Sequence, residues 1–144
     1  MEQHRLSNLR KRWYDNGQLK ECTQKYADTA YVSYFRNGQM ERLNIAYWKD
    51  TVHFSEQKQW DVYGTLRSKS VSEHSSHYNE QQLITYFPNG NRKYASMHHN
   101  DFRKEVYYTY RGEACSIMEY KNNNLHGMVS ILDTISKNKL NIQY

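Results

Sequence analysis

The stretch "TYFPNGN" at residues 85–91 decides how the chain is read. Proline presets the φ of the second position of a type I turn, asparagine suits the third, and glycine takes the left-handed conformation that follows. Tyr86 and Phe87, just before, favour an extended chain. The segment is therefore the tip of a β-hairpin, with a bulge expected where the second strand resumes.

The same signal recurs along the chain. "RWYDNGQLKE" sets Gly17 four residues after Trp13, and "SYFRNGQMER" sets Gly38 four after Tyr34. "QWDVYGTLRS" sets Gly64 after Trp60, and "YYTYRGEACS" sets Gly112 after Tyr108. With Tyr86 and Gly90 this makes five copies, using five of the six glycines in the chain. Two residues after each glycine stand Leu19, Met40, Leu66, Arg92 and Ala114, apolar in four copies of five. The glycines are spaced 21, 26, 26 and 22 residues apart, and so regular a register defines a repeat architecture.

Each copy has a second half of period two, such as Leu43, Ile45, Tyr47 or Ala95, Met97, His99, which is the mark of a strand. The positions two and five after glycine differ in parity, so a bulge must lie between them if both face one way. Return turns are expected in "ADTAYV" (27–32), "KDTVHF" (49–54), "HNDFRK" (99–104) and "KNNNLHG" (121–127). Two strands in each of five copies give about ten short strands. The polar run "SKSVSEHSSHYNEQQ" at 68–82 reads as an edge, a loop or an insertion between copies three and four.

On these motifs the unit resembles the bacterial variant of the MORN (membrane occupation and recognition nexus) repeat. Tyr86-Phe87-Pro88-Asn89-Gly90 matches its first half. Tyr120-Lys121-Asn122-Asn123-Asn124-Leu125-His126-Gly127 matches its second, with Asn123 where glycine is usual. The match spans residues 12–132 and departs at Gly64, where Val62-Tyr63 replaces x-Asn. The resemblance implies an all-β fold: an elongated single-layer antiparallel β-meander of about five MORN-like hairpin repeats. Residues 1–144 then form a single repeat domain, centred on Gly17, Gly38, Gly64, Gly90 and Gly112, with a C-terminal capping strand pair at about 125–144. Hydrophobic residues at 38% and aromatics at 15%, most of them tyrosine, suit such a half-buried surface.

The remaining composition bounds function. "MEQHRLSNLRKRW" has no apolar core, so no signal peptide is expected, and no run reaches membrane-spanning length. Cys22 and Cys115 lie in different repeats, which favours free thiols and a cytoplasmic location. The formal charge of +5 is concentrated in Arg5, Arg10, Lys11, Arg12, Lys20 and Lys25. No cofactor or metal is expected. The histidine pairs His74/His77 and His98/His99 invite a metal reading, but neither cysteine belongs to a Cys-x-x-Cys pair, and adjacent strand residues such as His98 and His99 point to opposite faces. His126 and its counterpart His53 belong to the turn motif. No nucleophile elbow or phosphate-binding glycine loop is present, so no catalytic residue is assigned and the chain is not read as an enzyme.

The expected function is non-catalytic protein binding. The resemblance points to an immunity or antitoxin protein that occludes a cognate toxin. The aromatics four before glycine form a structural ladder. Alternation assigns the residues three before glycine to the other face. Expected partner-binding residues are therefore Tyr14, Phe35, Trp48 and Phe87 as anchors, with Arg12 and Lys20 as rim charge. The alternative is nucleic-acid binding through basic and aromatic residues, and membrane binding has no lipidation signal or amphipathic helix behind it.

Overall fold

The computed structural model describes residues 8–25, 28–132 and 139–143. These residues form strands and turns only. The strands are β1 (Asn8–Trp13), β2 (Leu19–Lys25), β3 (Thr29–Tyr34), β4 (Met40–Lys49), β5 (Val52–Trp60), β6 (Leu66–His74) and β7 (Asn79–Tyr86). They continue as β8 (Arg92–His99), β9 (Phe102–Tyr108), β10 (Ala114–Lys121), β11 (Asn124–Leu125), β12 (Met128–Leu132) and β13 (Lys139–Gln143). All lie in one antiparallel sheet whose order follows the chain from β1 to β10 and then through β12 to β13, with the short β11 also on β10. The fold is the β-meander that the five-copy register predicts.

The tips explain this order. At the fourth, Gly90 N–H donates to Phe87 O (3.0 Å) and Phe87 N–H to Asn91 O (2.8 Å), closing a turn whose glycine has φ 84°. The other four tips repeat both bonds, from Tyr14, Phe35, Asp61 and Thr109, each with a glycine at positive φ. Just beyond every tip one residue goes unpaired, shifting the register by one. The bulge seats the two conserved-pattern positions of each copy opposite one another: Trp13 with Leu19, Tyr34 with Met40, Trp60 with Leu66, Tyr86 with Arg92, Tyr108 with Ala114. The parity conflict in the sequence is thus resolved as a bulge, and both apolar positions share a face.

At the other end the return turns are short. Asp50 (φ 55°) and Asn100 (φ 53°) take the left-handed conformation there. Asn122 and Asn123 (φ 52° and 64°) supply the two left-handed residues of a type I′ turn. Of the first expected return turn (27–32) residue 27 lies outside the described residues, as do Arg5 and residues 133–138 of the C-terminal segment.

One expectation fails. Residues 68–82 are no insertion: they form most of β6, the Ser75–Tyr78 turn and the start of β7. The physical reason is that a one-layer sheet does not require either face of a strand to be apolar. Ser68, Ser70 and Ser72 alternate with Lys69, Val71 and Glu73, so the period is present without a hydrophobic contrast.

Residues paired across strands share a face. One, the aromatic face, carries the five tip aromatics and a central row running Cys22, Val32, Leu43, Lys58, Lys69, Ile84, Ala95, Val106, Ile117. The other, the hydroxyl face, carries Ser33, Ser55, Ser68, Ser70, Ser72, Thr85 and Ser96 with several glutamines. Beyond β10 the apolar residues change sides, and Val129, Ile131, Leu140 and Ile142 lie on the hydroxyl face. Among the described residues only Val129 and Ser33 are buried. The accessible surface is 10665 Å², against about 7,900 Å² for a compact chain of this mass.

Gly90 tests the tip. Nothing lies within 4 Å of a Cβ built there, so a substitution meets only the backbone penalty. Gly90→Val should cost roughly 1–2 kcal/mol, since a β-branched residue resists positive φ. Gly90→Asn should cost less. Thermal melts of the two variants check this, and equal melting temperatures would contradict a left-handed tip.

Candidate functional site

Neighbouring tips are tied to each other, and these ties account for the residues three before glycine. Tyr14 Oη donates to Tyr34 O (2.8 Å), and Arg36 pairs with Asp15 (3.2 Å) while lying 5.5 Å from the Tyr14 ring centre. Asn37 Nδ2 donates to Val62 O (3.0 Å), and Asn89 Nδ2 to Tyr110 O (2.8 Å). The Phe87 ring meets Tyr110 edge-on at 5.2 Å. Tyr14, Phe35 and Phe87 are half-buried corner residues of the turns, not side chains standing free on a strand face. Simple alternation misplaces them because the strand ends one residue earlier, at the ladder aromatic.

The six expected contact residues therefore do not form one patch. Arg12 (74% exposed, bonded to Glu21 at 3.3 Å), Tyr14 and Lys20 gather at the first tip, with the Lys20 ammonium 5.6 Å from the Tyr14 ring. Phe35 sits at the second tip beside Trp60 and Asp61, and Phe87 at the fourth. Trp48 lies at the opposite end of the strands, on the hydroxyl face, 58% exposed with its ring 5.0 Å from His53. The ladder aromatics share the aromatic face, although Trp13, on the edge strand, is 58% exposed.

Charge divides between the faces. At the register-paired positions of β5–β8 the hydroxyl face holds no Asp, Glu, Lys or Arg. On the same strands Glu56, Lys58, Lys69, Glu73 and Glu80 all take the aromatic face. Lys58 and Lys69 both reach Glu56, at 2.8 and 3.7 Å. The Lys58 hydrogen bond, opposed by burial and assisted by the charges of both lysines, holds the Glu56 carboxyl below its ordinary value. This ion cluster splits the apolar row into two halves. The second half contains a depression of about 300 Å³ floored by Ile84, Ala95 and Val106, with Met97 and Tyr108 beside it and Arg92 and Lys104 at its rim. Lys104 is bound to Glu119 (2.8 Å); Arg92 makes no ion pair among the described residues.

Two features escaped the sequence reading. The depression arises from strands whose apolar residues are spread over three copies. The second is the third tip, where Tyr63 is 85% and Val62 43% exposed. Its only sequence signal was the departure from x-Asn-Gly. Among the described residues no group of three or more His, Cys, Asp or Glu side chains is placed to hold a metal, both cysteines are free, and no helix is long and apolar enough to cross a membrane.

No protein-family model matches the chain. No curated protein matches it either. Among solved structures, the crystal structure of a protein with unknown function from Bacteroides fragilis NCTC 9343 is similar over 95% of this chain and 90% of that one, at 5% identity and a TM-score of 0.28. So distant a likeness says nothing about function.

The ion cluster gives a pH test. A carboxylate whose folded value is depressed adds stability above its unfolded value, and that stability is lost as pH falls through the folded one. Glu56→Gln should therefore melt below the parent at neutral pH. The gap should close as pH drops below the ordinary carboxylate range, about 4. A gap independent of pH would show that Glu56 acts through packing alone.

Proposed function

We propose that this chain is a non-catalytic protein-binding module, acting stoichiometrically in the manner of an immunity or antitoxin protein that occludes its toxin. The observation behind this reading is the apolar half of the aromatic face, which no second layer covers among the described residues. Ile84, Ala95 and Val106 are half-buried by their neighbours in the sheet, and Met97 is 44% exposed. Contiguous apolar surface rimmed by charge is characteristic of a protein contact site. A sheet already fixed by its tips pays little ordering cost on binding. The toxin role rests on the resemblance to bacterial MORN-type repeats. The chain is basic, so its partner should offer an apolar surface with acidic residues opposite Arg92.

Nucleic-acid binding is the second reading, favoured by Arg10, Lys11 and Arg12 in succession on the exposed edge strand β1. An edge of basic residues also keeps two sheets from pairing side by side, so the observation is not specific to phosphate.

The test is co-expression with the product of the adjacent gene, followed by copurification and rescue of growth. The parent should form a complex. Met97→Glu should weaken it at least about fivefold, as expected of a contact residue worth more than ~1 kcal/mol, with an unchanged melting temperature. Equal affinity of parent and variant would remove the aromatic face from the contact. Retention of DNA or RNA at physiological salt, abolished in Arg10→Glu/Arg12→Glu, would replace this reading with the second.

A further inference from the structure

The third tip is capped differently from the first, second and fourth, a change it shares with the fifth, where Thr109 Oγ1 accepts Glu113 N–H (3.2 Å). At the first, second and fourth tips the residue before glycine is asparagine, and its Oδ1 accepts the N–H of the residue after glycine: Asn16 from Gln18 (3.2 Å), Asn37 from Gln39 (3.1 Å), Asn89 from Asn91 (3.0 Å). At the third tip Tyr63 occupies that position and cannot accept such a bond. The cap has moved to Asp61, whose Oδ1 accepts both Tyr63 N–H (3.0 Å) and Thr65 N–H (2.9 Å). Asp61 Oδ2 meets Arg67 at 3.8 Å, so both carboxylate oxygens are engaged. The second tip holds the turn from the side, through Asn37 and the Val62 carbonyl.

The outcome is a turn whose backbone is fixed at every corner and whose two side chains are free. Tyr63 is the most exposed large apolar side chain among the described residues, at 85%, and Val62 stands beside it at 43%. Neither supports the tip. An uncharged valine–tyrosine pair on a fixed turn has the properties of an interface anchor: large contact area, little entropy to lose, and one hydroxyl to orient it.

Resting on the protein-binding reading above, we infer that Val62-Tyr63 is the anchor that this module inserts into its partner, a protein presenting an apolar cleft with a hydrogen-bond acceptor at its end for the Tyr63 hydroxyl. Three details select this occupant. The pair protrudes, so it fits a concavity and not a flat surface. Asp61 at its base is paired with Arg67, so no counter-charge is demanded of the cleft. The adjoining tips present Asn89 on one side and, on the other, Arg36 paired with Asp15 of the first tip, which gives the apolar anchor a polar flank as in a protein rim and does not suit a lipid surface.

The experiment compares parent, Tyr63→Asn and Met97→Glu, each full-length, for melting temperature, self-association by light scattering, and affinity for the product of the adjacent gene. Tyr63→Asn restores the residue of the first, second and fourth tips, so its melting temperature should equal or exceed that of the parent, while its affinity should fall at least tenfold. Val62→Lys should behave alike. A lower melting temperature for Tyr63→Asn would make the ring a structural element and overturn the inference. Unchanged affinity in Tyr63→Asn with loss in Met97→Glu would overturn it and leave the sheet-face reading standing. A parent dimer that Tyr63→Asn dissolves would assign the anchor to a second copy and overturn it likewise. No complex with the parent at all would remove the protein-binding reading and this inference together.

Discussion

The structure depends on one backbone constraint: a glycine in the left-handed region closing each of five hairpin tips, followed by a single unpaired residue. The turn fixes where the chain reverses. The bulge then decides which side chains face which way, because in a strand a slip of one residue exchanges the faces. Without it, Leu19 and Cys22, or Met40 and Leu43, would look to opposite sides. With it, each copy delivers an aromatic, its partner and the central-row residue to one face. Repetition of that event lines up the copies.

Among the described residues this geometry provides no second layer. Each strand contacts only its hydrogen-bonded neighbours in the sheet, and large side chains remain partly in water. Stabilisation therefore comes from lateral contacts: cross-strand pairs worth roughly 0.2–1 kcal/mol each, rings such as Tyr47 on Phe54 at 5.3 Å and Tyr94 beside Tyr107 at 4.9 Å, and the bonds between tips. Such a sheet approximates a one-dimensional array in which a repeat depends on its neighbours more than on the whole. The consequence for function is direct. Among the described residues both broad faces and the row of tips are open to solvent, and the chain can devote each to a different chemistry: the neutral hydroxyls and amides of β5–β8 on one face, apolar residues divided by the Glu56 cluster on the other, and the exposed Val62-Tyr63 pair at the third tip.

The sequence revealed what depends on local chemistry. Five glycines in register with five aromatics identified the tips, and the parity conflict identified the bulges, since both follow from φ preferences and period two. Residues 68–82 were misjudged because serine, lysine and glutamate alternating without apolar contrast still make a strand when its neighbours supply the hydrogen bonds. Phe87 and Tyr14 were misplaced for a different reason: whether a residue beside a turn belongs to the strand or the corner is settled by one hydrogen bond, Phe87 N–H to Asn91 O. Trp48 was correctly read as exposed, but its distance from the tips depends on strand length, which no local motif encodes. The significance of Tyr63 became visible only when Asp61 was seen to have assumed the capping role of the missing asparagine.

The central claim is that this is a single open layer, and small-angle X-ray scattering measures it most directly. Twelve strands side by side at about 4.8 Å, each roughly 25 Å long, make a slab more than 50 Å across, with a radius of gyration near 17 Å. A compact chain of this length would give about 14.5 Å. A value near 17 Å with the profile of a flat, elongated particle is the predicted result. A value near 14.5 Å, from a sheet folded back on itself to bury its aromatic face, would contradict the account.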